Sequence, residues 1–303
     1  MMRFNAIKPD WFSWRYQVQY PLLAQLPLSY SYRLAQYSSR YWQARHLGGL
    51  AIVKEQMQLT FPHASETQIQ QWLCEYAQMV ECETLDTWYL TQPKLMQRLV
   101  TLQGFEAVEQ ARQQGRRVLL TGGHIGRFWL AGPAMYLRGF KVGTLTRDNT
   151  ESNTQHLHQA EYRFRRWKLQ RLKASLGGTF LVEGELVRPL YQALDEELIT
   201  LLFDVPYAQN QSQGVTVSFL NGTIKVPAGI YKIAKKTQAW IAPFYMRNRQ
   251  DGGVIAEFSP LLDPNNYNEE ECLSLLTQQL SAEIVQAPSQ WWLWAALPLL
   301  RRA

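Results

Sequence analysis

Leu119-Leu120-Thr121-Gly122-Gly123-His124-Ile125-Gly126-Arg127-Phe128-Trp129-Leu130 places one histidine among glycines where an apolar run gives way to a helical pattern. Val118 to Leu120, fed by Arg116-Arg117, predicts a short buried strand, and the glycines let the backbone turn sharply and approach a ligand closely. From Phe128 to Tyr136 the spacing predicts a helix. A neutral imidazole at such a junction is suited to taking a proton from a hydroxyl or amine. The plainer reading is a histidine that satisfies backbone groups at a helix start.

Working outward, strands and helices alternate. Val142 to Thr146, Thr179 to Val182, Leu198 to Phe203, Val215 to Leu220, Ala239 to Arg247 and Val254 to Phe258 read as strands, with a turn at Asn221-Gly222. Helices are expected over residues 105–114, 159–173 and 189–195, and from Pro227 through Lys236. The expected fold is α/β, a single domain with a mixed central sheet flanked by helices and an N-terminal helical, membrane-associating segment. Residues 1–100 would be helical and packed on the core, and residues 101–303 would form the α/β core. In such folds functional groups gather at the carboxyl ends of strands, and His124, Arg147 and Asp204 each follow one.

The chain has 303 residues, 46% of them hydrophobic, enough to bury a sizeable core. Its formal charge of +6 suits an anionic partner: a membrane surface, an acidic carrier protein, a phosphorylated substrate or nucleic acid. Eleven Trp, fifteen Tyr and twelve Phe beside the cations favour a membrane interface. Cys74, Cys82 and Cys272 have neither disulfide logic nor metal spacing, and His156 and His158 do not share a helix face. The N-terminus lacks the apolar core of a signal peptide, and no apolar run of about eighteen residues is present to span a bilayer. Motifs for dinucleotides, nucleoside triphosphates, zinc proteases and serine hydrolases are missing from the sequence.

Residues 11–45 mix aromatics and leucines with Arg15 and Arg33, broken by Pro21 and Pro27. They predict short helices with one apolar face and arginines snorkelling to a membrane surface, or else a helical layer on the domain's own core. A helix over residues 51–61 should stop at Pro62, and Ser65-Glu66-Thr67-Gln68 should cap a long one. Arg163, Arg165, Arg166, Lys168, Arg171 and Lys173 interleave with Tyr162, Phe164 and Trp167. Read plainly this is a solvated helix face; read functionally, Arg163, Arg165, Arg166, Lys168 and Arg171 dock a carrier protein or anionic headgroups.

Taken in order, several segments resemble the late lauroyl/myristoyl acyltransferases of lipid A biosynthesis, within the lysophospholipid-acyltransferase-like superfamily. They are Leu26-Pro27, Gln58-Leu59-Thr60-Phe61-Pro62 with Glu66, Gly123-His124-Ile125-Gly126, Thr146-Arg147 and Leu202-Phe203-Asp204. Val217-Ser218-Phe219-Leu220-Asn221-Gly222, Ile233-Ala234-Lys235-Lys236-Thr237, Ala242-Pro243-Phe244 and Pro288-Ser289-Gln290-Trp291-Trp292-Leu293-Trp294 follow.

The resemblance implies acyl transfer from an acyl-carrier-protein thioester to a hydroxyl or amine of a lipid-like or specialised-metabolite acceptor. It also implies a peripheral protein at the cytoplasmic face of the inner membrane, with no metal or redox cofactor; nucleic-acid binding through the helix around Arg163 to Lys173 is the least favoured reading, and no nucleic-acid partner is expected. The family's H-x4-D/E motif puts the general base on His124 but its carboxylate at position 129, where this chain has Trp129. A substitute carboxylate is expected from Asp204 first, with Asp148, Glu183 and Glu185 behind it. Gly123, Gly126, Arg147 and Trp129 would line the substrate, Arg147 binding an anionic group or the oxyanion. The alternative is an inactive homologue that binds acyl chains or carrier protein and supports a partner enzyme.

Overall fold

The computed structural model describes residues 10–146, 157–182, 188–205, 214–249 and 251–302. Its strands are β1 (Val100–Gln103), β2 (Val118–Gly122), β3 (Val142–Thr146), β4 (Gly177–Val182), β5 (Leu198–Leu202), β6 (Gly214–Phe219), β7 (Gly222–Pro227), β8 (Trp240–Asn248) and β9 (Val254–Phe258). Seven of them make a sheet in the order β1-β9-β8-β2-β5-β3-β4, and β6-β7 is a separate hairpin. β8, β2, β5, β3 and β4 run parallel; β9 turns back antiparallel to β8, and β1 runs parallel to β9. The expectation of a mixed sheet flanked by helices in one domain therefore holds.

β2 is buried at every position, as a parallel strand covered on both faces must be. Its side chains alternate between two cores. Leu119, with Ile199 and Ile241 of the neighbouring strands, faces one layer, which contains Leu73, Tyr76, Leu276, Leu280, Trp291 and Trp294. Val118 and Leu120, with Leu198 and Ala242, face the other, which contains Tyr20, Tyr32, Leu85, Phe105, Leu130 and Leu176. The helix Glu66–Asp86 contributes to both, passing from Ile69 in the first layer to Leu85 in the second. It starts with the anticipated capping box between Ser65 and Gln68.

Other expectations are corrected in detail. Arg15 does not snorkel: it is 1% exposed and ion-paired with Glu81, which also receives the Tyr20 hydroxyl and, at 2.7 Å, that of Ser38. This buried charge cluster joins the N-terminal layer to the helix Glu66–Asp86, whereas Arg33 is exposed. Residues 128–136 are not one helix, because a 3₁₀ turn at Phe128–Leu130 precedes the helix Ala131–Leu137. Pro227 ends β7 rather than opening the next helix, Gly229–Thr237. β1 and β7 were not anticipated: β1 has only four residues, and β7 exists by pairing with β6 across the Asn221-Gly222 turn. The proposed division at residue 100 falls at the start of β1.

Candidate active site

β2 and β5 are adjacent and in register, with Gly122 opposite Leu202. The ladder continues one step beyond them through the Phe203 N–H, which donates to the Gly122 carbonyl at 3.1 Å. Each chain then leaves the sheet at the same edge, and the second residue past each strand is His124 on one side and Asp204 on the other. Strand register alone brings together two residues 80 positions apart.

The contact is close and specific. His124 Nδ1 lies 2.6 Å from Asp204 Oδ1, while the backbone N–H of His124 donates to Oδ2 at 2.8 Å. Trp291 Nε1 donates to the same Oδ2 at 2.9 Å. Asp204 is fully buried and the His124 side chain is 21% exposed, so the carboxylate sits behind the ring and the ring faces outward. The neutral tautomer that this contact favours carries its proton on Nδ1, facing Asp204, and leaves Nε2 with a lone pair. No described residue hydrogen-bonds to that Nε2.

The glycines flanking His124 are required by space. A Cβ on Gly123 would meet Leu280 Cδ1 at 2.4 Å and Asp204 Oδ2 at 3.0 Å. Gly126 has φ of +58°, and its Cβ would meet the Met246 carbonyl oxygen at 2.8 Å. The C-terminal segment clamps the same loop. Gly126 N donates to the Gln290 carbonyl at 2.8 Å, Trp292 N to the His124 carbonyl at 2.9 Å, and Trp292 Nε1 to the Gly126 carbonyl at 2.6 Å. Ile125 and Trp291 form an antiparallel bridge. The imidazole is walled on one side by Phe128, 4.9 Å away edge to face.

Trp129 points elsewhere. Its ring packs on Phe128, and Lys168 Nζ lies 4.6 Å from its centroid, itself ion-paired with Glu83 of the helix Glu66–Asp86. The carboxylate facing His124 thus comes from Asp204 and not from position 129. Arg147, Asp148, Glu183 and Glu185 lie outside the described residues.

On the helix Gln159–Leu176, Arg163, Arg165 and Arg166 are exposed. Lys168 and Arg171 are used inside the molecule, Lys168 on Glu83 and Arg171 on the carbonyls of Thr87 and Trp88 and the hydroxyl of Thr91. His158 caps this helix by accepting from Ala160 N, and no group of acids, cysteines and histidines suited to a metal occurs among the described residues.

Three site features escaped the sequence reading. Trp291 was visible only as part of a Trp-rich segment, with nothing to say that its N–H meets Asp204. Arg127, next to the glycine loop, is 2% exposed and donates to Asp86 Oδ1 at 2.8 Å and to the Gly252 carbonyl, tying the loop to the helix Glu66–Asp86. Tyr245 lies beneath, its phenol pushed up by burial and by the nearby Glu283 and Asp204, and it donates to the Leu276 carbonyl at 3.3 Å.

A partly exposed imidazole backed by a buried carboxylate is an arrangement able to accept a proton from a nucleophile and return it to a leaving group. The chain belongs to the family described as bacterial lipid A biosynthesis acyltransferases, whose model matches residues 5–297. Its class of activity is acyl transfer of the lipid A acyltransferase type. Among curated proteins none matches the chain significantly.

Proposed function

We propose that the protein transfers a fatty acyl group from an acyl-carrier-protein thioester to a hydroxyl or amine of a lipid-like acceptor, with His124 as general base and Asp204 as its orienter. The observation that carries this reading is the 2.6 Å contact between His124 Nδ1 and buried Asp204. Nε2 takes the proton as the acceptor oxygen or nitrogen bonds to the thioester carbonyl carbon. The tetrahedral intermediate then collapses, the carbon–sulfur bond breaks, and the leaving thiolate takes the proton back from Nε2. Asp204 stabilises the imidazolium formed between the two steps and stays ionised throughout. Exposed Arg163, Arg165 and Arg166 would receive the acidic carrier.

The test is loss of acyl chain from acylated carrier protein incubated with vesicles of bacterial membrane lipid. His124→Ala should lower transfer by about 10²–10⁴-fold. Turnover by the alanine variant at the wild-type rate would sink the proposal. A second reading, a non-catalytic relative that binds acyl chains or carrier, draws on Trp129 in place of the motif acid; the carboxylate of Asp204 against His124 favours chemistry over it.

The membrane is proposed as the working surface. Among the described residues, Trp14, Val18, Leu22, Leu26, Tyr30, Leu34, Tyr37 and Tyr41 are all exposed, spaced three or four apart along the N-terminal helices and the bend at Leu26 that joins two of them. Exposed Arg33, Arg40 and Arg45 flank them, and the Arg40 guanidinium lies 3.6 Å from the Tyr37 ring centre. Apolar side chains at helical spacing beside cations fit an anionic bilayer, and no helix of the described residues is long and apolar enough to cross one. Leu34→Glu with Tyr37→Glu should weaken co-sedimentation with phosphatidylglycerol vesicles at least about tenfold, since each buried side chain contributes roughly 1.5–3 kcal/mol. Unchanged binding would move the contact to another face.

A further inference from the structure

Asp204 is fully buried, and a carboxylate in that position can rotate, or exchange the roles of its two oxygens, unless something fixes each one. Oδ1 is turned to the imidazole. Oδ2 is held by two donors, the backbone N–H of His124 at 2.8 Å and the indole N–H of Trp291 at 2.9 Å. The first comes from the same loop as the base and moves with it. The second comes from the C-terminal segment, outside that loop.

Trp291 is itself rigidly placed. It is fully buried, packs against Phe219 at 5.4 Å and Trp294 at 5.0 Å between ring centres, and its backbone pairs with Ile125. Trp294 in turn donates to the Pro288 carbonyl at 2.7 Å, which closes the segment on itself. The Trp291 donor is spent on Asp204, the carboxylate that, among the described residues, faces the imidazole. The indole N–H can only donate, which suits it to holding an acceptor such as Asp204 Oδ2.

We infer that Trp291 is a positioning residue for the reaction, acting through Asp204 to fix the orientation and tautomer of His124. The inference rests on the proposed His124–Asp204 chemistry for its kinetic readout but not for its spectroscopic one. Removing one charge-assisted hydrogen bond to a buried carboxylate should lower kcat by about 10–100-fold, because such bonds contribute about 1.5–3 kcal/mol, while KM moves little.

Trp291→Phe keeps an aromatic ring on Phe219 and Trp294 and deletes only the donor and one ring. Should it fail to fold, benzothienylalanine at position 291 deletes the N–H at nearly constant shape. The decisive comparison is a double-mutant cycle. If Trp291 acts through Asp204, Trp291→Phe causes no further loss in an Asp204→Asn background. A kcat unchanged by Trp291→Phe, or losses that multiply in the double variant, would overturn the inference. Independently of activity, ¹⁵N-histidine NMR should show one Nδ1–H tautomer for His124 in the wild type and a mixture in Trp291→Phe; an unchanged tautomer overturns the inference. Transfer that survives His124→Ala while the tautomer still responds to Trp291→Phe would mean that the functional reading fails and the positioning stands.

Discussion

Asp204→Asn is expected to reduce acyl transfer by on the order of 10³–10⁴-fold while the protein stays folded. The reason lies in which atoms surround residue 204. Two N–H donors, from His124 and Trp291, converge on Oδ2 and would hold the asparagine carbonyl oxygen there. Its NH₂ would then face His124 Nδ1, the position of Oδ1 at 2.6 Å. A donor facing Nδ1 forces the imidazole to carry its proton on Nε2, the wrong tautomer for a base. The effect should fall on kcat rather than KM, because the interaction matters most when the imidazolium forms. Rates with acylated carrier protein, alongside circular dichroism, decide it. Full activity in Asp204→Asn would show that His124 is oriented by something else. Trp129→Glu should not rescue the variant, since position 129 faces Lys168 and Phe128.

Arg127→Met should lower stability by about 3–5 kcal/mol, the usual penalty for removing one partner of a buried ion pair. The side chains of Arg127 and Asp86 are both buried, and Asp86 Oδ1 also accepts the Tyr32 hydroxyl at 2.5 Å. Asp86 Oδ2 has no hydrogen-bond partner among the described residues. Burial pushes the Asp86 carboxyl up to about 6, against the pull of Arg127 and of the Tyr32 hydroxyl. Burial likewise opposes the charge on Arg127, but Asp86 and Tyr32 outweigh it and hold the guanidinium charged.

The sign of the pH dependence follows. Between about 4 and 6 the folded protein holds a proton on Asp86 that the unfolded chain has given up, so stability from this group falls as pH rises through that window and is flat above it. Without Arg127 the ionised carboxylate has no counter-charge, so the penalty should be larger at pH 8 than at pH 5. Urea unfolding at the two pH values measures this. Adding Asp86→Asn to Arg127→Met should restore at least half of the loss, because removing both members of a buried pair costs much less than removing one. An equal penalty at both pH values would mean that Arg127 acts by packing alone.

The sheet was legible in the sequence because its central strands are covered on both faces and therefore read as apolar runs. Val118 to Leu120 and Leu198 to Phe203 could be placed without any knowledge of their neighbours. The glycine-flanked histidine was legible for a related reason: Gly123 and Gly126 stand where a Cβ collides with Leu280 or with the Met246 carbonyl oxygen. Short β1 and the second hairpin strand β7 were not legible, since each depends on a partner strand more than on its own residues. Arg15 looked like a surface cation because its fate depends on Glu81, 66 positions away.

The sequence by itself determined an α/β core, a histidine at the end of a central strand, an aromatic and basic N-terminal region, and resemblance to a family of acyltransferases. The sequence put Asp204 first among four candidate acids, but only tertiary structure sets it against that histidine, through the register between β2 and β5 and an indole from the far end of the chain. Local pattern fixes where a strand stops. Only pairing and packing fix what stands opposite it.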